Sequence, residues 1–151
     1  MPKLRPLLLG VAVLLPLLLL IYLLQDYLDA YLQRDAQVMA CDINLESCQL
    51  DLNDGQHLSL TMNPSPAASL TPLTFTLAVS GEQPQGVWLD LQGTEEYMGI
   101  NQTPFIFEDG VWRGKTELAV CTTARMLWQG RLIITQQSGE TLPVDFFFEA
   151  Q

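Results

Sequence analysis

Apolar and polar residues alternate through most of this chain. Leu58, Leu60 and Met62 interleave with His57, Ser59 and Thr61, and the same period of two runs through Leu73, Phe75, Leu77 and Val79. Val87, Leu89 and Leu91 repeat it around Trp88 and Asp90, and Leu142, Val144, Phe146 and Phe148 carry it to the carboxyl end. An apolar residue at every second position turns one face of an extended strand toward a core. Turn-forming clusters separate the runs: Asn53-Asp54-Gly55, Asn63 to Pro66, Gly81 to Gly86, Glu108 to Gly110, and Gln137 to Glu140. Short strands at this spacing, with no helical run between them, predict an all-β domain over 38–151. The expected form is an antiparallel immunoglobulin-like β-sandwich of about seven to nine strands.

The amino-terminal part has a different pattern. Leu7 to Leu24 carries no charge, and its length of about 18 residues reaches about 27 Å as a helix, close to a bilayer's hydrocarbon thickness. This predicts one transmembrane helix over 7–24 after a cytoplasmic stretch at 1–6. A cleaved leader is the competing expectation. Its nearest cleavage match, Leu28-Asp29-Ala30, has a bulky first residue, and the Val38 to Cys41 box lies too far beyond the apolar run. Leu24, Tyr27, Leu28, Tyr31 and Leu32 recur at helical spacing and extend the helix as an amphipathic stem over 25–37. Lys3 and Arg5 precede the span while Asp26 and Asp29 follow it, so the amino terminus is expected in the cytoplasm and the β-domain in the periplasm.

Charge narrows the partners. Lys3, Arg5 and Arg34 cancel Asp26, Asp29 and Asp35, so the whole formal charge of −10 belongs to residues 38–151. That argues against nucleic acid or an anionic lipid surface as partner of this domain. It leaves a membrane anchor together with a protein partner. Three cysteines in an oxidising compartment suggest one disulfide and one spare thiol. Strands at 38–43 and 46–52, turning at Asn44-Leu45, set Cys41 opposite Cys48, within disulfide reach.

The sequence offers little for catalysis. His57 is the only histidine and falls on the polar face of its strand; no nucleophile elbow, phosphate loop or dinucleotide fingerprint is present. The run Asp51 to Gln56 begins like a calcium loop, but Gly55 occupies a ligand position, and it reads as a hairpin turn. The remaining candidates are soft. Met98, Cys121 and Met126 form a possible Cu(I) donor set, since thioether and thiolate favour that ion. A hairpin turning on Thr123-Ala124 makes Cys121 and Met126 cross-strand neighbours. Core packing of the same residues is the competing expectation.

The order Tyr97-Met98-Gly99-Ile100-Asn101, Gly110-Val111-Trp112-Arg113-Gly114 and Leu118 to Trp128 resembles a pattern in small proteobacterial membrane-anchored proteins. In layout the chain is similar to the FixH and YtkA-like proteins, which join an amino-terminal anchor to a periplasmic immunoglobulin-like domain. That resemblance implies an inner-membrane accessory protein, with assembly or copper supply of a respiratory complex as its role. The Met- and His-rich segments of copper carriers are absent here. The rival expectation is a structural protein-interaction module with no metal site.

Overall fold

The computed structural model describes residues 14–25, 36–52, 55–119 and 125–151. The chain divides into two units, Met1–Asp35 and Ala36–Gln151. In the first, residues 14–25 are helical and their large apolar side chains are exposed. Among the described residues no helix is long and apolar enough to cross a membrane. The first part of the predicted span, Leu7 to Val13, and the predicted stem from 26 to 35 lie outside the described residues. The stem expected to reach 37 gives way there to a strand.

Among its described residues the second unit has ten strands. They are β1 (Gln37–Val38), β2 (Cys48–Asp51), β3 (His57–Asn63), β4 (Pro72–Val79), β5 (Gly86–Gly93), β6 (Gln102–Pro104), β7 (Ile106–Glu108), β8 (Val111–Glu117), β9 (Met126–Thr135) and β10 (Thr141–Ala150). The first sheet has the order β1-β10-β9-β5-β6 and the second the order β2-β3-β4-β8-β7. All pairings are antiparallel except β1 with β10. The count exceeds the expected seven to nine because two- and three-residue pieces, too short to show a periodicity, complete three of the edges.

The alternation read from the sequence is the alternation of burial. Leu58, Leu60 and Met62 of β3, Leu73, Phe75, Leu77 and Val79 of β4, and Val87, Leu89 and Leu91 of β5 all face the core. The predicted turns follow suit. Gly139 adopts a φ of 82°, and Gln136 and Glu140 close the β9–β10 turn through a 2.8 Å backbone bond. Gly110, also at φ 82°, turns β7 into β8. These are left-handed conformations that glycine adopts without a Cβ penalty.

One predicted connection is wrong. No hairpin joins β8 to β9 among the described residues: β8 pairs with β4 and β7 in the second sheet, while β9 pairs with β5 and β10 in the first. The chain therefore crosses between layers after Glu117. Gln129 faces Gln92 and Phe147, not Leu118 as a hairpin turning on Thr123-Ala124 would require. Chain proximity made the hairpin attractive; the competing rule is that sandwich strands often pair with sequence-distant neighbours.

Aromatic rings fill the space between the sheets. Phe75 of the second sheet meets Phe146 and Phe148 of the first at centroid distances of 5.8 and 6.1 Å. Phe146 lies over Gly130, its register partner on β9, and a Cβ on that glycine would collide with the ring. Phe105, at the point where β6 passes into β7, lies over Gly114 of β8 in the same manner. Both rings are buried. Burying one such side chain contributes about 1.5–3 kcal/mol, and each glycine supplies the room for it.

Gly130→Ala is expected to lower stability by about 1–3 kcal/mol through overpacking, although alanine is the better strand residue. Urea unfolding measures this, and pairing it with Phe146→Leu is expected to recover part of the loss. An unchanged midpoint in Gly130→Ala would contradict the packing described.

Candidate functional site

The two methionines nominated by the sequence converge on Gly93. β5 ends at Gly93, and the following loop is tied back to β9 by Thr94, whose backbone N–H and side-chain hydroxyl both donate to the Leu127 carbonyl at 3.0 Å. Gly99, at φ 82°, turns the loop, and Asn101 anchors its far end. The Asn101 amide donates to the Glu117 carbonyl at 3.0 Å and accepts from the Thr116 hydroxyl at 2.8 Å. This double tie is a structural reason for asparagine at 101.

Met98 is brought inward by this loop and Met126 enters from the first residue of β9. A Cβ placed on Gly93 would stand 2.6 Å from the Met126 sulfur and 3.0 Å from Met98 Cγ. The two side chains therefore border the space left by one missing side chain. Met126 is buried and Met98 is half-buried against the core. Trp128, the register partner of Gly93, is fully buried on the same face, and its indole N–H finds no acceptor among the described residues. Cys121, the third nominated donor, lies outside the described residues. The donors in place here are soft and apolar. They suit Cu(I) or a dry core and offer nothing to a hard cation.

His57 does not join them. It opens β3 at Asp51, its cross-strand partner on β2, with Nδ1 2.6 Å from the carboxylate. Met62, at the other end of β3, is buried on the opposite face, as the odd spacing requires. Among the described residues, no three or more His, Cys, Asp or Glu side chains are grouped to hold a metal. The ends of the calcium-like run are tied together: Leu52 donates its N–H to the Gln56 carbonyl at 2.8 Å and Gly55 sits at φ 84°.

Cys41 and Cys48 are bonded, with Cα atoms 5.5 Å apart. The local geometry differs from the predicted hairpin. Before Cys41 the chain pairs with β10, and from Cys48 onward it pairs with β3, so the bridge joins the two sheets' edges across a turn at 42–46. Within the loop it closes, Ile43 is buried. Asn44 reaches three ways: its amide N–H donates to the Glu149 carbonyl, its amide oxygen accepts from Ala67 N–H, and its backbone carbonyl accepts from the Ser65 hydroxyl. A short disulfide loop thus fastens the end of β10 to the segment following β3.

A polar centre on the outer face of the first sheet was not anticipated from the sequence. Asp145 points outward yet is buried; it accepts from Arg131 Nε at 2.7 Å, Arg131 Nη2 at 2.8 Å and Gln129 Nε2 at 2.9 Å. The hydrogen bond to Asp145 is the main cause that raises the Arg131 pKa, opposed by burial and helped by the charge of Asp90. The two-pronged geometry matches the guanidinium fork to the carboxylate. The turn at 137–140 contains the signal: Thr135 closes on Thr141, and counting four residues outward along both strands pairs Arg131 with Asp145.

A scan against models of known protein families and a search of curated proteins both return no match for the chain.

The Cys41–Cys48 bond makes a direct expectation for thiol chemistry. Under denaturing, non-reducing conditions only the Cys121 thiol is expected to react with a chromogenic disulfide reagent, and all three after reduction. Reduction is expected to lower stability by about 2–3 kcal/mol, the chain-entropy value for so short a loop. More than one reactive thiol before reduction would contradict the bond.

Proposed function

We propose that this chain is a single-pass bacterial inner-membrane protein with no catalytic role, whose amino-terminal segment anchors a periplasmic interaction domain. On this reading the domain assists the assembly of a membrane complex, the role associated with the FixH and YtkA-like proteins that its layout resembles. The Cys41–Cys48 bond is the observation that carries the proposal, since such bonds persist in oxidising compartments outside the cytoplasm. The uncharged run Leu7 to Leu24, with Lys3 and Arg5 before it, supplies the anchor and its orientation.

We assign the sandwich to the immunoglobulin type. Among the described strands the chain changes sheets four times, between β1 and β2, β4 and β5, β6 and β7, and β8 and β9. A parallel β1–β10 pair borders the first sheet. Crossed connections of this kind and a return of the last strand beside the first belong to that architecture. Its function then lies on faces and loops rather than in a cleft.

An alkaline phosphatase fused after Gln151 is expected to be active in intact bacteria, because that enzyme matures only outside the cytoplasm. An inactive fusion, together with reduced Cys41 and Cys48, would contradict the periplasmic assignment.

One observation favours a second reading, copper handling: the convergence of Met98 and Met126 on Gly93. With Cys121 as thiolate donor they form a three-sulfur Cu(I) set. Titration of the full-length protein in detergent with Cu(I), against a chromogenic chelator, is expected to show one competing site that Cys121→Ser and Met98→Leu each weaken at least tenfold. No competition by the unaltered protein would leave the interaction module without a metal site.

A further inference from the structure

The loops at one end of the sandwich are fastened to one another. They are residues 39–47, 64–71, 94–101 and 118–125. Asn44 of the first loop bonds through its side-chain amide to the Glu149 carbonyl and the Ala67 N–H. Ser69 N–H donates to the Gln151 carbonyl at 2.7 Å, and Leu70 N–H to the Leu118 carbonyl at 3.1 Å. The side chain of Asn101 reaches Glu117 and Thr116. The Cys41–Cys48 bond closes the first loop.

Apolar side chains concentrate on this end. Leu45 is 84 % exposed, Ile100 79 %, Tyr97 78 % and Leu70 67 %, the four highest values among the large apolar side chains described in the β-domain. The turns at the opposite end, 52–56, 80–85, 109–110 and 136–140, expose no large apolar side chain among the described residues. Leu70 also has a φ of 55°, in the left-handed region that a Cβ disfavours. Single exposed apolar residues need no explanation. Four on one loop-built end, and none on the turns of the other, mark a contact surface. Loops held by a rigid scaffold are where binding residues gather.

Charge on this end selects the occupant. The four loops contain Asp42, Glu46, Glu95 and Glu96, and Glu149 stands beside them at the end of β10. Arg125 is the one basic residue in these loops, and it lies 3.8 Å from Glu149. Five carboxylates against one guanidinium leave this end negative however they pair. A second copy would bring the same excess charge with it, and an anionic lipid surface would add more, so both are repelled. A zwitterionic surface offers the carboxylates no counter-charge. A protein segment with apolar side chains flanked by lysine or arginine satisfies both features, because its anchors bury against the loop tips while its cations meet the carboxylates.

We propose that the loop end bearing Leu45, Leu70, Tyr97 and Ile100 docks a partner protein through a segment that is both apolar and basic. The inference rests on the reading of the domain as an interaction module, and names its contact surface and its partner's chemistry.

The test uses the full-length protein in its native membrane. Photoreactive benzoylphenylalanine replaces Tyr97 or, for comparison, Glu82 in a turn of the opposite end. After irradiation and digestion, mass spectrometry sequences the peptide attached at each position. The Tyr97 variant is expected to link to another protein, through a segment of net positive charge that carries apolar side chains, at least tenfold more than the Glu82 variant does. Adding Glu46→Lys and Glu95→Lys is expected to reduce that product at least tenfold, with formation of the Cys41–Cys48 bond as the folding control. The proposal is overturned if Tyr97 links only to a second copy, to lipid or to nothing, or if the attached segment is acidic or lacks apolar side chains. It is equally overturned if Glu82 links as much, or if the folded charge-reversed variant links undiminished. An active phosphatase fusion alongside any of these results removes this surface and leaves the periplasmic reading intact.

Discussion

Phe146 lying over Gly130 is the contact on which the rest of the domain depends. It brings a full aromatic ring into the narrow space between two sheets, where Phe75 and Phe148 complete the cluster. It also fixes register. Side chains on a strand alternate strictly, so a slip of one residue along β10 would bring Asp145 and Phe147 into the core and expel Phe146. With Phe146 inward, Asp145 must point out beside Arg131, and the whole outer face of the first sheet follows. Phe105 over Gly114 plays the corresponding part for the second sheet, fixing the place where the edge strand changes layers.

The same device recurs at Gly93 with sulfur in place of a ring. The Met126 and Met98 side chains occupy the room a Cβ would take, and Glu96's carbonyl lies 2.7 Å from the same point. Methionine is well suited to such an irregular gap because it is unbranched and flexible. The same convergence is what motivates the proposed copper reading. Packing accounts for the arrangement as it stands; coordination is the further use proposed for it above.

Much of this architecture is legible along the chain, for identifiable reasons. Strands buried on one face, such as β3, β4 and β5, print their period of two directly into the sequence, and the glycine-bearing turns at 108–110 and 137–140 set where they reverse. The Cys41–Cys48 spacing was also readable, although the bridge spans a turn between two strands with different partners rather than a hairpin. What the sequence does not display is the third dimension. That β8 and β9 lie in different sheets, that Trp88 and Ile133 align, and that strand glycines accept rings from other strands all depend on distant pairing. The Arg131–Asp145 pair falls between these extremes, because its register follows from a turn the sequence does show.

These features join into one account: core rings set the register, and the register decides which side chains face the core and which face solvent. The most direct measure is hydroxyl-radical footprinting of the full-length protein. The account predicts that Trp88, turned outward on β5, oxidises severalfold faster than Trp128, turned inward on β9. Equal rates for the two tryptophans in the folded protein would contradict it.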